Sequence, residues 1–279
     1  MKIKFWGVRG TIPTWRKDVK KFGGSTSCLQ VFSKGGKQIL LDSGTGILNL
    51  SRYLRQSKDL NRKDPIHLFL THTHYDHVLG LPFFLTLFRE VPIHIYLHNK
   101  ERSVEDVISS FMSKEFCPIR LDGLSKVYFN NITERKTVSI PPFEINCIKT
   151  IHPSYCMGFG IKVDNKRCVY ITDHELPPAE DKKFAKYVKF CRHADILIHD
   201  AQYTPGELSE RVGWGHSSYD RVVQLAIASE VSKLVLFHHD PDHSDKVLHS
   251  ILTKSKRLLK EGGIPVRCYL AKESWEIEV

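Results

Sequence analysis

The chain has 279 residues, with 41 Lys and Arg against 31 Asp and Glu, which gives a formal net charge of +10. A content of 41% hydrophobic and 26% charged residues is typical of a globular protein and excludes a disordered, collagen-like or coiled-coil chain. The positive charge favours acidic partners such as phosphate esters, nucleotides or nucleic acid, although a basic surface that only aids solubility explains it equally well.

Short β-rich runs and amphipathic helical patterns follow one another along the chain. The predicted strands are Ile3–Val8, Leu29–Phe32, Gln38–Asp42, Ile66–Thr71, Ile93–Leu97, Phe143–Ile151, Gly158–Val163, Cys168–Thr172, Ile196–His199, Leu234–Phe237 and Val266–Leu270. The predicted helices are Ile47–Arg55, Ser103–Met112, Glu180–Cys191, Tyr219–Ser229 and Asp245–Lys260, and the predicted surface loops are Lys58–Asp64 and Asn130–Thr137. This pattern predicts an α/β domain in which helices cover packed sheets.

The sequence also bears on the cellular compartment. Its longest apolar stretch falls far short of the roughly 20 residues of a membrane span, and the N-terminus lacks the apolar core of a signal peptide. Seven scattered cysteines without a CxxC pair indicate reduced thiols rather than a disulfide scaffold. We therefore expect a cytoplasmic protein with no membrane partner.

The strongest chemical signal is a run of three histidines and one aspartate after the predicted strand Ile66–Thr71. His72, His74, Asp76 and His77 lie within six residues. Imidazole nitrogens and carboxylate oxygens are the usual ligands of zinc and similar divalent ions, and this density is rare outside metal sites. The run therefore predicts a metal site rather than a solvated polar loop.

Three further candidate ligands come directly after predicted strands. They are His152, Asp173 and His238, the last with His239 beside it. Each one alone is more typical of a cap or a surface residue. Together they mark the ends of strands, which is where open α/β sheets place their sites.

These residues resemble the metallo-β-lactamase fold superfamily, whose HxHxDH motif matches His72–His77. The resemblance covers nearly the whole chain. It implies one domain, residues 1–279, built as an αββα sandwich of two mixed β-sheets packed face to face with helices outside. It also implies two divalent ions, zinc or manganese, with iron as a further option.

The resemblance assigns a role to each candidate ligand. One metal would be bound by His72, His74 and His152, the second by Asp76, His77 and His238, and Asp173 would bridge the two. Asp42, in the segment Leu41-Asp-Ser-Gly-Thr-Gly46, would orient the histidine loop without binding metal.

Other segments resemble the ribonuclease Z and cyclic phosphodiesterase branch of this superfamily. They are Gly7–Thr11, Phe22–Cys28, Asp42–Gly46 and Gly213–Ser218. In ribonuclease Z a catalytic histidine precedes the last ligand by 22 residues, and His216 precedes His238 by the same interval. The spacing favours His238 over His239 as the ligand. It also favours a catalytic role for His216 over the alternative that this histidine is only a structural residue near the N-terminus of the following helix.

Two departures separate the chain from ribonuclease Z. The enzyme that cleaves transfer RNA carries a long RNA-gripping arm between the third and fourth ligand motifs, whereas His152 and Asp173 are only 21 residues apart here. Its His-Glu-Ala segment reads His199-Asp-Ala in this chain. The pattern therefore favours a small phosphodiesterase acting on a cyclic nucleotide or another cyclic phosphodiester.

In the expected reaction, a hydroxide between two metals attacks phosphorus, Asp76 accepts a proton and His216 donates one to the departing oxygen. A ribonuclease Z-like endonuclease acting on RNA is the first alternative. A thioester hydrolase similar to glyoxalase II and a non-catalytic nucleic-acid-binding module are the others. A small phosphodiester is the expected partner, and because relatives of this fold are often dimers, a homodimer is a further expectation.

Overall fold

The computed structural model describes residues 1–56, 64–124, 126–134 and 136–279. The strands are β1 (Lys2–Gly7), β2 (Cys28–Phe32), β3 (Gln38–Leu41), β4 (Ile66–Phe69), β5 (Ile93–Leu97), β6 (Val127–Asn131), β7 (Val138–Ile140), β8 (Phe143–Lys149), β9 (Met157–Val163), β10 (Lys166–Ile171), β11 (Ile196–Asp200), β12 (Lys233–Phe237), β13 (Arg267–Leu270) and β14 (Glu276–Glu278). The helices are α1 (Ile47–Gln56), α2 (Tyr75–Val78), α3 (Leu81–Leu87), α4 (Val104–Phe111), α5 (Phe184–Cys191), α6 (Pro205–Glu210), α7 (Tyr219–Ala228) and α8 (Asp245–Glu261). Within the described ranges, no helix is long and apolar enough to cross a membrane.

The strands form two mixed sheets. The first has the order β14-β1-β2-β3-β4-β5-β6, and the second has the order β13-β12-β11-β10-β9-β8-β7. In the first sheet β3 to β6 are parallel, and in the second β10 to β13 are parallel, while the remaining neighbours are antiparallel. Strands such as β11 and β2 are buried along their whole length, which explains why apolar residues predominate in them.

Three apolar clusters hold the layers together. Between the sheets, Phe5 and Phe237 come from opposite sheets with ring centroids 6.3 Å apart, and Phe69 packs edge-on against Phe159 at 5.6 Å. A second cluster joins α1, α3 and α4 to the outer face of the first sheet, and a third joins α5, α7 and α8 to the second sheet. The predicted αββα sandwich of two mixed sheets is therefore confirmed.

This topology brings the carboxyl ends of several strands to one edge of the sandwich. In the first sheet, the chain leaves β3 and its parallel neighbour β4 at this edge. In the second sheet, it leaves β10, β11 and β12 there, and these strands are also mutually parallel. Polar residues that follow these strands can therefore meet across the gap between the sheets.

Several local features differ from the sequence prediction. The predicted loop Asn130–Thr137 is wrong at its start, because Asn130 and Asn131 continue β6 through pairing with β5. The predicted helix Glu180–Cys191 begins only at Phe184, since the Phe184 amide bonds to Asp181 O in a preceding turn. The predicted loop Lys58–Asp64 lies outside the described residues except for Asp64.

Candidate metal centre

The histidine run follows β4 and turns at once into a short helix. His74 keeps an extended backbone, with φ −63° and ψ 151°, and α2 begins at the next residue. The residues before and after this turn therefore face the same space from two directions. His72 and His77 are buried, with ring centroids 4.4 Å apart, whereas His74 is exposed.

The structure gathers the first predicted ligand group, made of His72, His74, His152 and Asp173, with donor atoms within 4.8 Å of one another. His152 Nε2 lies 3.2 Å from His74 Nδ1 and 3.9 Å from Asp173 Oδ1. His72 Nε2 lies 3.6 Å from the same carboxylate oxygen. These donor atoms surround a common space.

A second group lies beside the first and consists of Asp76, His77, Asp173 and His238. His77 Nε2 and His238 Nε2 lie 3.0 and 3.2 Å from Asp173 Oδ2, and His238 Nε2 is 3.1 Å from Asp76 Oδ2. Asp173 thus belongs to both groups and turns one carboxylate oxygen towards each.

The donor atoms of these groups fit divalent cations. Buried polar atoms are normally hydrogen-bonded, yet His72 Nε2 is buried without a hydrogen-bond partner among the described residues. His77 Nε2 and His238 Nε2 face each other at 3.3 Å. Imidazole nitrogens and carboxylate oxygens suit zinc, manganese and iron, so both groups can hold such ions.

Electrostatics hold two of the donors, His72 and Asp173, in forms that bind metal, whereas the carboxylates around His77 outweigh its burial and raise the pKa of that ring well above its ordinary value. Burial lowers the pKa of His72 well below its ordinary value, which leaves a neutral imidazole with a free lone pair. Burial by itself would raise the pKa of Asp173, but the facing imidazoles of His238 and His77 hold that pKa well below the usual range. Asp173 is therefore a carboxylate anion at neutral pH.

Three polar residues at the carboxyl edge of the sheets share an uncommon backbone conformation. Asp42, Asp173 and His238 have φ values of 58°, 51° and 58°, in the left-handed region that residues other than glycine rarely adopt. Such strain persists only where the surroundings enforce it, and it clusters at functional sites.

Asp42 lies beneath the histidine run and is fully buried. Its carboxylate accepts hydrogen bonds from the Thr71 amide at 2.8 Å, the Thr71 hydroxyl at 2.9 Å and the Tyr170 hydroxyl at 2.8 Å. It also lies 3.0 Å from His77 Nδ1, so it fixes which ring nitrogen of His77 faces the second group.

His216 stands at the edge of both groups, in the turn before α7. Its Nδ1 lies 2.8 Å from Asp200 Oδ2, and its ring stacks on His238 with centroids 5.1 Å apart. Burial disfavours the protonated ring, but the carboxylates of Asp200, Asp173 and Asp76, with Asp200 contributing most, together raise the pKa of His216 to about 9. His216 can therefore carry a proton at neutral pH.

A hollow of about 300 Å³ opens over the two groups. Asp76, Asp173 and His216 line it, together with His74 and Thr11. Both predicted catalytic residues thus border the same small space as the ligand groups. A substrate in this hollow would contact the donor groups and His216 together.

Comparison with known proteins identifies the family. Residues 37–239 match the family described as the beta-lactamase superfamily domain. The chain belongs to this superfamily. Ribonuclease Z from Pyrococcus abyssi is 24% identical over 300 residues, covering 91% of each chain.

Two solved structures show the same fold. The metallo-β-lactamase fold protein YhfI from Bacillus subtilis is similar with a TM-score of 0.72 and 18% identity, covering all of this chain and 99% of that one. A diphosphatase of the PhnP family is similar with a TM-score of 0.67 and 18% identity, covering 100% and 96%. The predicted superfamily and its ribonuclease Z-like branch are thereby confirmed, and the chain is classed as a hydrolase with the metallo-β-lactamase fold.

The structure distinguishes His238 from His239 as the last candidate ligand. His238 lies in the second group, with its Nδ1 2.9 Å from Gln202 Oε1. His239 points elsewhere, with its Nε2 2.9 Å from Ala271 O. Of the two histidines, His238 is the one that lies among the candidate ligands.

Sequence reasoning missed three residues of the site. Asp200 pairs with His216, Gln202 with His238, and the Thr11 amide donates to Asp76 Oδ2 at 2.8 Å. Asp200 carried a usable signal, because it ends an apolar strand as Asp173 does. Thr11 lies in the segment Gly7–Thr11, which resembles the ribonuclease Z branch, but nothing in the sequence pointed to its contact with Asp76. Gln202 carried no signal, since its role depends on loops from distant parts of the chain.

Asp42→Ala should weaken both stability and metal binding. The change leaves the Thr71 amide and the Tyr170 hydroxyl buried without their acceptor. Each unsatisfied group lowers the free energy of unfolding by about 1–3 kcal/mol. We also expect roughly 10–100-fold weaker metal affinity, because His77 loses the group that orients it. Chemical denaturation and metal titration measure the two effects.

Tyr170→Phe is the matched control for this prediction, because it removes one hydrogen bond to Asp42 and keeps the ring. We expect the free energy of unfolding to fall by about 1 kcal/mol and the metal affinity to stay nearly unchanged. Unaltered metal affinity in Asp42→Ala as well would show that Asp42 does not position the histidines.

Proposed function

We propose that the protein is a dinuclear metal-dependent phosphodiesterase that hydrolyses a small phosphodiester. The observation that carries this proposal is Asp173, whose two carboxylate oxygens face two separate ligand groups. A shared carboxylate is suited to hold two cations close together, and paired cations are a recurrent means of phosphodiester cleavage.

His72, His74 and His152 would hold one ion, Asp76, His77 and His238 the other, and Asp173 both. Two divalent ions, zinc or manganese, would supply Lewis acidity and lower the pKa of water there. Asp76 borders the hollow and can accept the proton of the attacking water. The Thr11 amide holds one oxygen of Asp76 in place.

His216 is placed to protonate the departing oxygen. Its Nδ1 is occupied by Asp200, which leaves Nε2 as the nitrogen that can donate to a substrate. Asp200 keeps the ring oriented and stabilises its protonated form. This pairing resembles the way other enzymes orient a catalytic histidine with a buried carboxylate.

The size of the site favours a small substrate. Between His152 and Asp173 the chain has only four loop residues, the hairpin β9–β10 and Thr172. Asp164 and Asn165, both with positive φ, close this hairpin in a tight turn. No RNA-gripping arm occupies this interval, which is described in full, and the hollow of about 300 Å³ suits a nucleotide-sized ligand.

A ribonuclease Z-like endonuclease is the second candidate. The 24% identity to the Pyrococcus abyssi enzyme over 91% of each chain favours it, as does the net charge of +10. Positive charge strengthens binding to RNA phosphates. The same ligand groups would serve this reaction, so substrate size separates the two candidates.

Metal content followed by a hydrolysis panel tests the proposal. The panel contains bis(p-nitrophenyl) phosphate, 3′,5′- and 2′,3′-cyclic nucleotides, short oligonucleotides, a precursor transfer RNA and lactoylglutathione. We expect about two metals per chain and turnover of the small phosphodiesters. Cleavage of precursor transfer RNA alone would favour the endonuclease, and hydrolysis of the thioester alone would contradict both candidates.

A further inference from the structure

A second hollow, of about 650 Å³, lies beside the candidate metal centre and has His152 in its wall. Four lysines line it, namely Lys149, Lys182, Lys183 and Lys186, and its lining contains no carboxylate among the described residues. We call this feature the lysine hollow. It adjoins the ligand groups because His152 belongs to the first of them.

The floor of the lysine hollow is built from packed elements. Tyr187 of α5 is buried, and its hydroxyl donates to Lys149 O, at the end of β8, at 3.2 Å. The ring of Tyr187 lies 4.1 Å from that of His174, which follows Asp173. The backbone positions of the lysines are therefore tied to the same sheet edge as the candidate metal centre.

The charge in the lysine hollow is compensated only in part, by Glu134, which accepts from the Lys149 amide at 2.7 Å, and by Asp181, which accepts from the Lys183 amide at 2.8 Å. Lys186 pairs with Glu134 at 2.7 Å. In the part of the chain that the structure describes, Lys149, Lys182 and Lys183 form no ion pair. Lys149 Nζ instead lies 5.7 Å from the centre of the Tyr155 ring. Several ammonium groups around one concave surface create a positive potential that attracts an anion.

We propose that the lysine hollow binds a second phosphate of the substrate, joined through a sugar to the phosphodiester that is cleaved. This inference rests on the proposed function and narrows it. A cyclic mononucleotide has one phosphate and leaves the lysine hollow unused. Substrates with at least two phosphates, such as phosphorylated dinucleotides or a segment of RNA, place one at the candidate metal centre and the next against the lysines, whereas unphosphorylated ApA has one phosphate only.

The test compares the dinucleotide ApA with its phosphorylated forms pApA and ApAp. The variant Lys182→Ala/Lys183→Ala removes two charges from the lysine hollow. The control Lys189→Ala/Arg192→Ala removes two charges from the far end of α5, outside the lining. KM and kcat are measured on the metal-loaded proteins, and dissociation constants are measured with slowly hydrolysed phosphorothioate analogues.

We expect the wild type to prefer a phosphorylated form over ApA by about tenfold in KM and in affinity. The lysine variant should lose this preference with kcat nearly unchanged, and the control should keep it. A 20-nucleotide RNA is included to identify the source of the second phosphate. If the lysine variant weakens binding of this RNA but not of pApA or ApAp, the second phosphate belongs to a longer strand. Equal effects of the lysine variant on ApA and all phosphorylated ligands, or no effect on any, would overturn the inference.

The readouts separate this inference from the proposed function. Absence of hydrolysis by the metal-loaded wild type, together with a lysine-dependent preference in binding, would refute only the phosphodiesterase. Hydrolysis of dinucleotides without any lysine-dependent preference would refute only the lysine hollow.

Discussion

Asp173→Ala should abolish tight binding of both metal ions and reduce phosphodiester hydrolysis by about 10³-fold or more. Among the described residues, the carboxylate of Asp173 is the donor that belongs to both ligand groups, with His77 Nε2 at 3.0 Å and His72 Nε2 at 3.6 Å. Its removal takes the shared negative charge away from both groups and leaves the first group with histidine donors only. Metal analysis after dialysis and kcat/KM on a dinucleotide measure the two effects.

Thermal unfolding provides a readout of Asp173→Ala that does not depend on activity. A ligand at 100 times its dissociation constant stabilises the folded state by about 2.7 kcal/mol. Added zinc or manganese should therefore raise the Tm of the wild type and leave that of the variant almost unchanged. Retention of two metals per chain by the variant would contradict the bridging role.

Asp195→Ala is the control for this prediction. Asp195 precedes β11 at the end of the strand opposite Asp200, and it pairs with Lys166 at 2.7 Å. Its removal should cost a small amount of stability and leave both metal content and turnover intact.

The part of the site that the sequence could predict is the part that is local or marked by strand ends. His72–His77 are neighbours in the chain, so their shared chemistry is visible without a fold. Asp173 and His238 were recognisable as polar residues that end apolar strands, and the resemblance gave them roles. The structure places these residues together, while their binding of metal stays a prediction.

What could not be predicted depends on contacts between distant segments. Gln202 faces His238 only because the loops after β11 and β12 meet. The lysine hollow likewise joins Lys149 of β8 to α5. Strands β7 and β14 could not be predicted either, because three residues are too few to show an alternating pattern. They are defined by their pairing with β8 and β1, respectively.

His216→Ala should keep its metal and lose turnover. As a general acid, His216 is expected to increase the rate of hydrolysis by about 10²–10⁴-fold, but only when the departing oxygen needs a proton. We therefore expect the full loss with a dinucleotide, whose leaving group is a sugar alkoxide, and a much smaller loss with bis(p-nitrophenyl) phosphate. Metal analysis and the ratio of kcat values for the two substrates measure this.

Asp200→Asn tests whether His216 acts in its protonated form. Asp200 is the main group that raises the pKa of His216 to about 9, so the neutral amide should lower that pKa. A general acid loses activity as pH rises through its pKa. The alkaline limb of the pH–kcat profile should therefore move to lower pH in Asp200→Asn, with roughly 10–100-fold lower activity. Because Asp200, His216 and His238 could themselves surround an ion, the decisive contrary result is loss of metal from His216→Ala, which would make His216 a ligand.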